Sequence, residues 1–325
     1  MKEIKLRKYS PETDFRRVRD FLQQNYSAFA APVNWGIERW NYARYFIAPY
    51  LGSCGLNTQD NSASIAAIRF WEELVGIWEN EAGEIVGVAN IEHPDKKHRD
   101  YGEIFIQRHS HHPELLEEML QYGEKNFLNP LTKSCHIFVY EDDDLLLNVV
   151  KKRGYRLREK VSATHLESEI EENYQDNLPQ GYSVHTMQEN NRISERCEIF
   201  GRSFNHPDPK DWPSIYSYQQ LQQAPDYDRK NDFYITDEND NLVAQAIIWF
   251  DEINKTGHLE PLGTHPEHRG KKLAQELMQA CFARLQQLGA TKMPITGGFD
   301  PFYLAIGFRK IRTCYSWQKS FGDDY

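Results

Sequence analysis

Apolar residues at Leu273, Leu277, Met278, Cys281 and Leu285 recur at the spacing of one helix face. The segment LAQELMQACFARL is therefore predicted to be an amphipathic helix, with Cys281 buried in it as a small hydrophobe. Ile77-Trp78-Glu79-Asn80 followed by GEIVGVANIE, and Tyr234-Ile235-Thr236-Asp237 followed by DNLVAQAIIWF, each read as two strands joined by a turn-rich tip. VVKKRGYRLREKVSATHLE at 149–167 and YLAIGFRKIRTCYSWQKS at 303–320 each read as a helix closed by glycine, then one or two strands.

These pieces repeat in order. A short strand, a helix, an aromatic helical region, a hairpin, a strand, a helix, a strand, a helix and a final strand occur on both sides of a polar interval, SEIEENYQDNLPQG, from Ser168 to Gly181. A period near half the chain indicates duplication rather than a solenoid. Two domains are expected, at 1–168 and 181–325, with a linker at 169–180. The 325 residues also exceed what one hydrophobic core usually supports. Early hairpins and a late strand-helix-strand crossover predict a mixed sheet flanked by helices, an α/β fold in duplicate.

Composition narrows the function. With 40% apolar and 26% charged residues the chain can bury cores and is not disordered. A formal charge of −10 argues against a nucleic-acid partner, which needs a basic surface, and favours a small cationic or neutral one. No apolar run is long enough for a membrane span, and MKEIKLRKYSPETDFRRVRDF lacks the apolar core of a signal peptide. Cysteines at 54, 135, 197, 281 and 314 form no CxxC pair and suit reduced thiols. A cytoplasmic protein is expected; a homodimer is left open.

The chemistry concentrates in GHLEPLGTHPEHRGKKLAQELMQACFARLQQL, from Gly257 to Leu288. Pro261 cannot donate to a sheet ladder, so the strand His258 to Thr264 is expected to bulge or splay. The turn HPEHRGKK then leads into a helix N-terminus, whose unpaired N–H groups and positive dipole suit a phosphate or pyrophosphate. Arg269, Lys271 and Lys272 add positive charge.

Arg269-Gly270-Lys271-Lys272-Leu273-Ala274, preceded by Thr264-His265-Pro266-Glu267-His268, resembles the phosphate-binding motif of the GCN5-related N-acetyltransferase (GNAT) family. Pro301-Phe302-Tyr303-Leu304-Ala305-Ile306-Gly307-Phe308 resembles that family's Tyr-x-x-x-Gly-Phe ending. Lys272 stands where the family usually has glycine, and helical dihedrals there would need none. The resemblance implies two tandem GNAT-like domains, the first degenerate, and acetyl transfer from acetyl-CoA to a primary amine of a small acceptor, with no metal. It implies that backbone groups of Leu262, Gly263 and Thr264 pair with the pantetheine arm and that Arg269, Gly270, Lys271, Lys272, Leu273 and Ala274 hold the pyrophosphate. Glu260 would take the amine proton and Tyr303 would protonate the leaving thiolate. Trp212, Tyr216, Tyr218, Tyr227 and His206 would fall near the acceptor pocket. The alternatives are a CoA-binding sensor or partner module without turnover, and a transferase for a longer acyl group or a thiol-precursor acceptor.

In the first half the corresponding turn, Gln107 to Pro113, has no glycine before its helix, and His109, His111 and His112 read as a solvated loop rather than a metal site. The acidic run Glu141 to Asp144 reads as capping and dipole compensation for the following helix.

Overall fold

A computed structural model describes residues 4–322 except 57–59, 99, 171–173, 175, 176 and 299, so the expected linker lies partly outside the described residues. The N-terminal half runs β1 (Lys5–Lys8), α1 (Asp14–Asn25), α2 (Ile37–Tyr42), α3 (Ala48–Ser53), α4 (Ser62–Leu74), β2 (Gly76–Glu79), β3 (Ile85–Asn90), β4 (Phe105–Arg108), α5 (Leu115–Asn126), β5 (Ser134–Tyr140), α6 (Asp144–Lys152) and β6 (Arg156–Glu169). The C-terminal half repeats the order with β7 (Ser183–Thr186), α7 (Ile193–Ser203), α8 (Ile215–Leu221), β8 (Asp232–Thr236), β9 (Leu242–Asp251), β10 (Thr256–Thr264), α9 (Leu273–Leu288), β11 (Lys292–Thr296), α10 (Asp300–Ala305) and β12 (Arg309–Ser320). Both hairpins, the amphipathic helix and the two glycine-closed helices occur where the pattern predicts them. Gly154 and Gly307 end α6 and α10 at φ +85 and +101.

The two sheets do not divide along the two halves. One sheet has the order β1-β2-β3-β4 and the other β5-β12-β6-β11-β10-β9-β8-β7. β6, the closing strand of the first half, pairs with β11 of the second, from Glu169↔Lys292 to His165↔Thr296. β12, the closing strand of the second half, pairs with β5 of the first, from Cys314↔Tyr140 to Ser320↔Ser134. β6 and β12 also pair with each other. Each half thus supplies the strand that completes the other.

Packing follows the same division and then bridges it. One core surrounds Trp40, Trp71 and Trp78 in the N-terminal half, and another lies under α9 around Leu277, Met278 and Cys281. A third joins the halves: the Phe46 ring lies 5.0 Å from that of Phe200 and 6.4 Å from that of Tyr218. Buried aromatic pairs contribute about 0.5–1.5 kcal/mol each beyond area burial. Arg19 reaches Asp226 at 2.5 Å and Gln23 donates to buried Asp251 at 2.8 Å across the same junction.

Of the acidic run, Asp143 caps α6 by accepting the Leu146 N–H at 3.2 Å. The expectation of general capping needs correction for its neighbours, because the run lies beside β12. Glu141 accepts the Thr313 N–H at 2.9 Å, and Asp142 pairs with Arg312 at 3.1 Å.

Candidate active site

β10 follows β9 as far as Thr264, with a register shift between Leu259 and Leu262, and the Glu260–Pro261 peptide is cis. Toward β11 it pairs only at Thr256↔Lys292. The strands then diverge, as Pro261 led one to expect, and among the described residues leave that edge of β10 through Leu262, Gly263 and Thr264 without a neighbouring strand. Gly263 permits the close approach of α7, since a Cβ there would fall 2.4 Å from the Ser203 hydroxyl. An open strand edge beside a widening gap is suited to an extended, amide-bearing ligand arm.

Past β10 the chain turns sharply into α9. Gly270 has φ +77 with open space where a Cβ would stand, and Lys272, the residue before the helix, has φ 63 and ψ 10. Lys272 is therefore left-handed rather than helical, which corrects the expectation that its backbone would need no glycine. A side chain in this conformation costs roughly 1–2 kcal/mol. No side chain caps α9, so the first-turn N–H groups of Leu273, Ala274 and Gln275 lack intrahelical acceptors. Left-handed turn residues ahead of an uncapped helix form the kind of backbone concavity that receives anions.

The basic side chains around this turn have separate tasks. Arg269 donates to the carbonyls of Ser203 at 2.8 Å and Thr264 at 3.2 Å and to Asn205 Oδ1 at 3.0 Å, fastening the turn to α7. Lys271 donates to the Tyr182 hydroxyl at 3.0 Å. Lys272 is exposed.

A cleft of about 1850 Å³ joins this turn to residues of both halves. All the expected donor-binding residues except Lys271 line it, and Glu260 and Tyr303 share it. Its other wall comes from the N-terminal half, through Trp35, Glu38, Arg39, Tyr42 and Glu92. No motif marked these residues, because pairing across halves leaves no spacing signal in sequence.

Electrostatics set the two central groups apart. Glu260 is half-buried and lines the cleft. Burial, with Glu92 and Glu38 adding to it and Arg39 opposing, pushes its carboxyl up to about 8. Arg39 is held by a bidentate pair with Glu92, at 3.1 and 2.7 Å, and its guanidinium carbon lies 4.7 Å from the Trp35 ring and 4.4 Å from the Phe105 ring. Burial, and secondarily the charge of Glu260, pushes the Tyr303 phenol far up, so it keeps its proton at neutral pH.

The expected acceptor aromatics lie elsewhere. Trp212 packs over Gly201 and donates to the His206 carbonyl at 2.9 Å. Tyr218 and Tyr227 both donate to Asp232, which also pairs with the buried Arg196. Tyr216 packs against the core of the N-terminal half. The aromatic wall is instead supplied by Tyr26, Trp35, Tyr42 and Phe105.

The matching gap in the N-terminal half is closed by its own chain. Asn34 accepts the Arg108 N–H at 2.8 Å and donates to the Arg108 carbonyl at 2.9 Å, while the Trp35 N–H donates to Gln107 at 2.7 Å. Arg108 is further tied to Asp143 at 2.5 Å. Between β4 and β5 only about 60 Å³ remains, bordered by Val33 and Trp35.

Residues 194–308 match the acetyltransferase (GNAT) family profile. No curated protein matches the chain. A GCN5-related N-acetyltransferase from Sphaerobacter thermophilus superposes with a TM-score of 0.56 at 16% identity, over 86% of this chain and 92% of its own. A tandem GNAT protein from the clavulanic acid biosynthesis pathway does so at 0.57 and 13%, over 98% and 99%. N-myristoyltransferase from Saccharomyces cerevisiae, solved with myristoyl-CoA and inhibitors, gives 0.53 and 10%, over 98% and 80%.

The chain has the fold of the GNAT proteins, and its residues 194–308 match that family. Over its full length the fold is also that of the tandem GNAT protein. No helix among the described residues is long and apolar enough to cross a membrane.

Proposed function

We propose that this protein transfers the acetyl group of acetyl-CoA to a primary amine of a small cationic acceptor. Residues 181–325 hold the acetyl donor and residues 1–168, a degenerate copy, supply the facing wall. The carrying observation is the splayed edge of β10, which connects the open turn at Gly270 with Glu260 and Tyr303 in one cleft. The fit rests on the space at Gly270 and the uncapped start of α9 for a pyrophosphate, and on the edge of β10 turned away from β9 at Leu262, Gly263 and Thr264 for the pantetheine amides.

An approaching ammonium favours the ionised form of Glu260, so the acceptor itself converts that group into a base. The neutral amine attacks the thioester carbonyl, the new N–C bond forms, and the C–S electron pair leaves on sulfur. Ionised Glu260 takes the first proton, from the bound ammonium, which frees the attacking amine; Tyr303 gives its proton to the departing sulfur, and its phenolate regains one from the nitrogen as the amide forms. Holding both partners in one cleft supplies the proximity on which much of the rate depends. Calorimetric titration with acetyl-CoA, followed by thiol release with a panel of primary amines, tests the proposal. Binding without thiol release for any amine would favour the second reading, a non-catalytic CoA-binding module, which Lys272 in a glycine-like conformation supports.

A further inference from the structure

Taking the cleft as an acetyltransferase site, we propose that its acceptor carries a second cationic centre besides the reacting amine: a diamine, bound between Glu260 and the carboxylates of the N-terminal half.

Glu38, Glu92, Glu103 and Glu260 all line the cleft. Arg39, the guanidinium among them, feels the charges of Glu92, Glu103 and Glu260, and it is committed to Glu92 by the bidentate pair. Glu103 has His136 3.6 Å away. With Arg39 committed to Glu92, a single ammonium at Glu260 leaves Glu38 and Glu103 with no permanent cation beside them among the described residues.

A separate observation concerns hydrogen bonding rather than charge. His258 is 3% exposed, on the cleft wall, and its Nε2 has no hydrogen-bond partner among the described residues. Glu38 Oε2 lies 3.1 Å from the other ring nitrogen, Nδ1, but outside hydrogen-bond geometry, and is likewise unpartnered. Buried polar atoms left unpaired are costly, and native structures seldom keep them so. A carboxylate only accepts, so the missing partner of Glu38 is a donor. An ammonium carries three donors and a positive charge, and the rings of Trp35, Tyr42 and Phe105 give its methylene chain an apolar and cation-attracting wall.

The test measures calorimetric binding of four probes to the full chain saturated with CoA: 1,4-diaminobutane, n-butylamine, 4-aminobutanoate and glucosamine. 1,4-Diaminobutane is expected to bind at least about tenfold more tightly than n-butylamine, the equivalent of one favourable ion pair. 4-Aminobutanoate should bind worst, because its distal anion faces the carboxylates. Glu103→Gln and, independently, Glu38→Gln should each shrink the diamine preference. Equal affinity for diamine and monoamine, or glucosamine binding as tightly as the diamine, would overturn the proposal. Tight diamine binding without thiol release from acetyl-CoA would defeat the transfer reading and leave the dication subsite standing.

Discussion

Glu38, on α2 of the N-terminal half, stands 3.1 Å from the ring of His258 on β10 of the C-terminal half. The two sides of the cleft therefore belong to different copies of the duplicated unit. A fragment of residues 181–325 would lack this wall, would leave β11 and β12 without β6, and would bare Phe200 and Tyr218 where they meet Phe46. It should aggregate in size-exclusion chromatography and show no acetyl transfer. A monomeric, fully active fragment would refute the dependence.

Acetyl-CoA should bind with a stoichiometry near one per chain. The gap beside β4 is closed by Asn34 and Trp35, and the turn after it has no glycine. Replacing Gly270 with valine should weaken binding by tenfold or more, because φ +77 is strained for a β-branched residue. Calorimetry giving a clear value of two would contradict the single-site assignment.

Lys272→Gly should stabilise the protein by about 1 kcal/mol, since it relieves a left-handed backbone. Partial offset by the added freedom of the unfolded chain is included in that figure. The melting midpoint should rise by roughly 1–2 °C for a chain of this size, with acetyl-CoA affinity equal or better. A lower midpoint would mean that the lysine side chain makes a compensating contact.

Glu260 gives a signed pH effect. Its carboxyl is pushed up to about 8 in the fold, against roughly 4.3 in an unfolded chain. Its favourable contribution is complete below the unfolded value and fades as pH rises through about 8. Glu260→Gln should therefore gain melting temperature relative to the wild type as pH is raised from about 5 to 9, while losing turnover. Parallel melting curves across that range would show that Glu260 is not buried as a neutral acid.

Tyr303→Phe keeps the ring between Phe302 and Phe308 and removes the hydroxyl. If Tyr303 protonates the thiolate, kcat should fall by about 10²-fold with the KM for acetyl-CoA little changed. A KM effect alone would reassign Tyr303 to binding.

Much of this was legible in sequence because it is local. The helix of Leu273 to Leu285, the hairpins and the closing glycines each follow from residues a few positions apart. Pro261 announced the splay of β10, since it cannot join a ladder. What escaped depends on long-range pairing. Nothing local to Glu38, Arg39 or Glu92 shows that they meet Glu260, and Tyr218 and Tyr227 could not be told from pocket aromatics until Asp232 and Arg196 appeared beside them. The conformation of Lys272 was misjudged for a related reason: the turn after Pro266–His268 demands a left-handed residue, which a helix-start pattern does not reveal.

The reciprocal placement of β6 and β12 bears on how the protein is made. β5 awaits β12, which is synthesised some 170 residues later, at a separation that slows folding through the entropy of closing so long a loop. During synthesis the N-terminal half stays an open sheet with an exposed edge, and neither copy can be finished before the other. Melting should accordingly be a single cooperative event, although the sequence counts two domains.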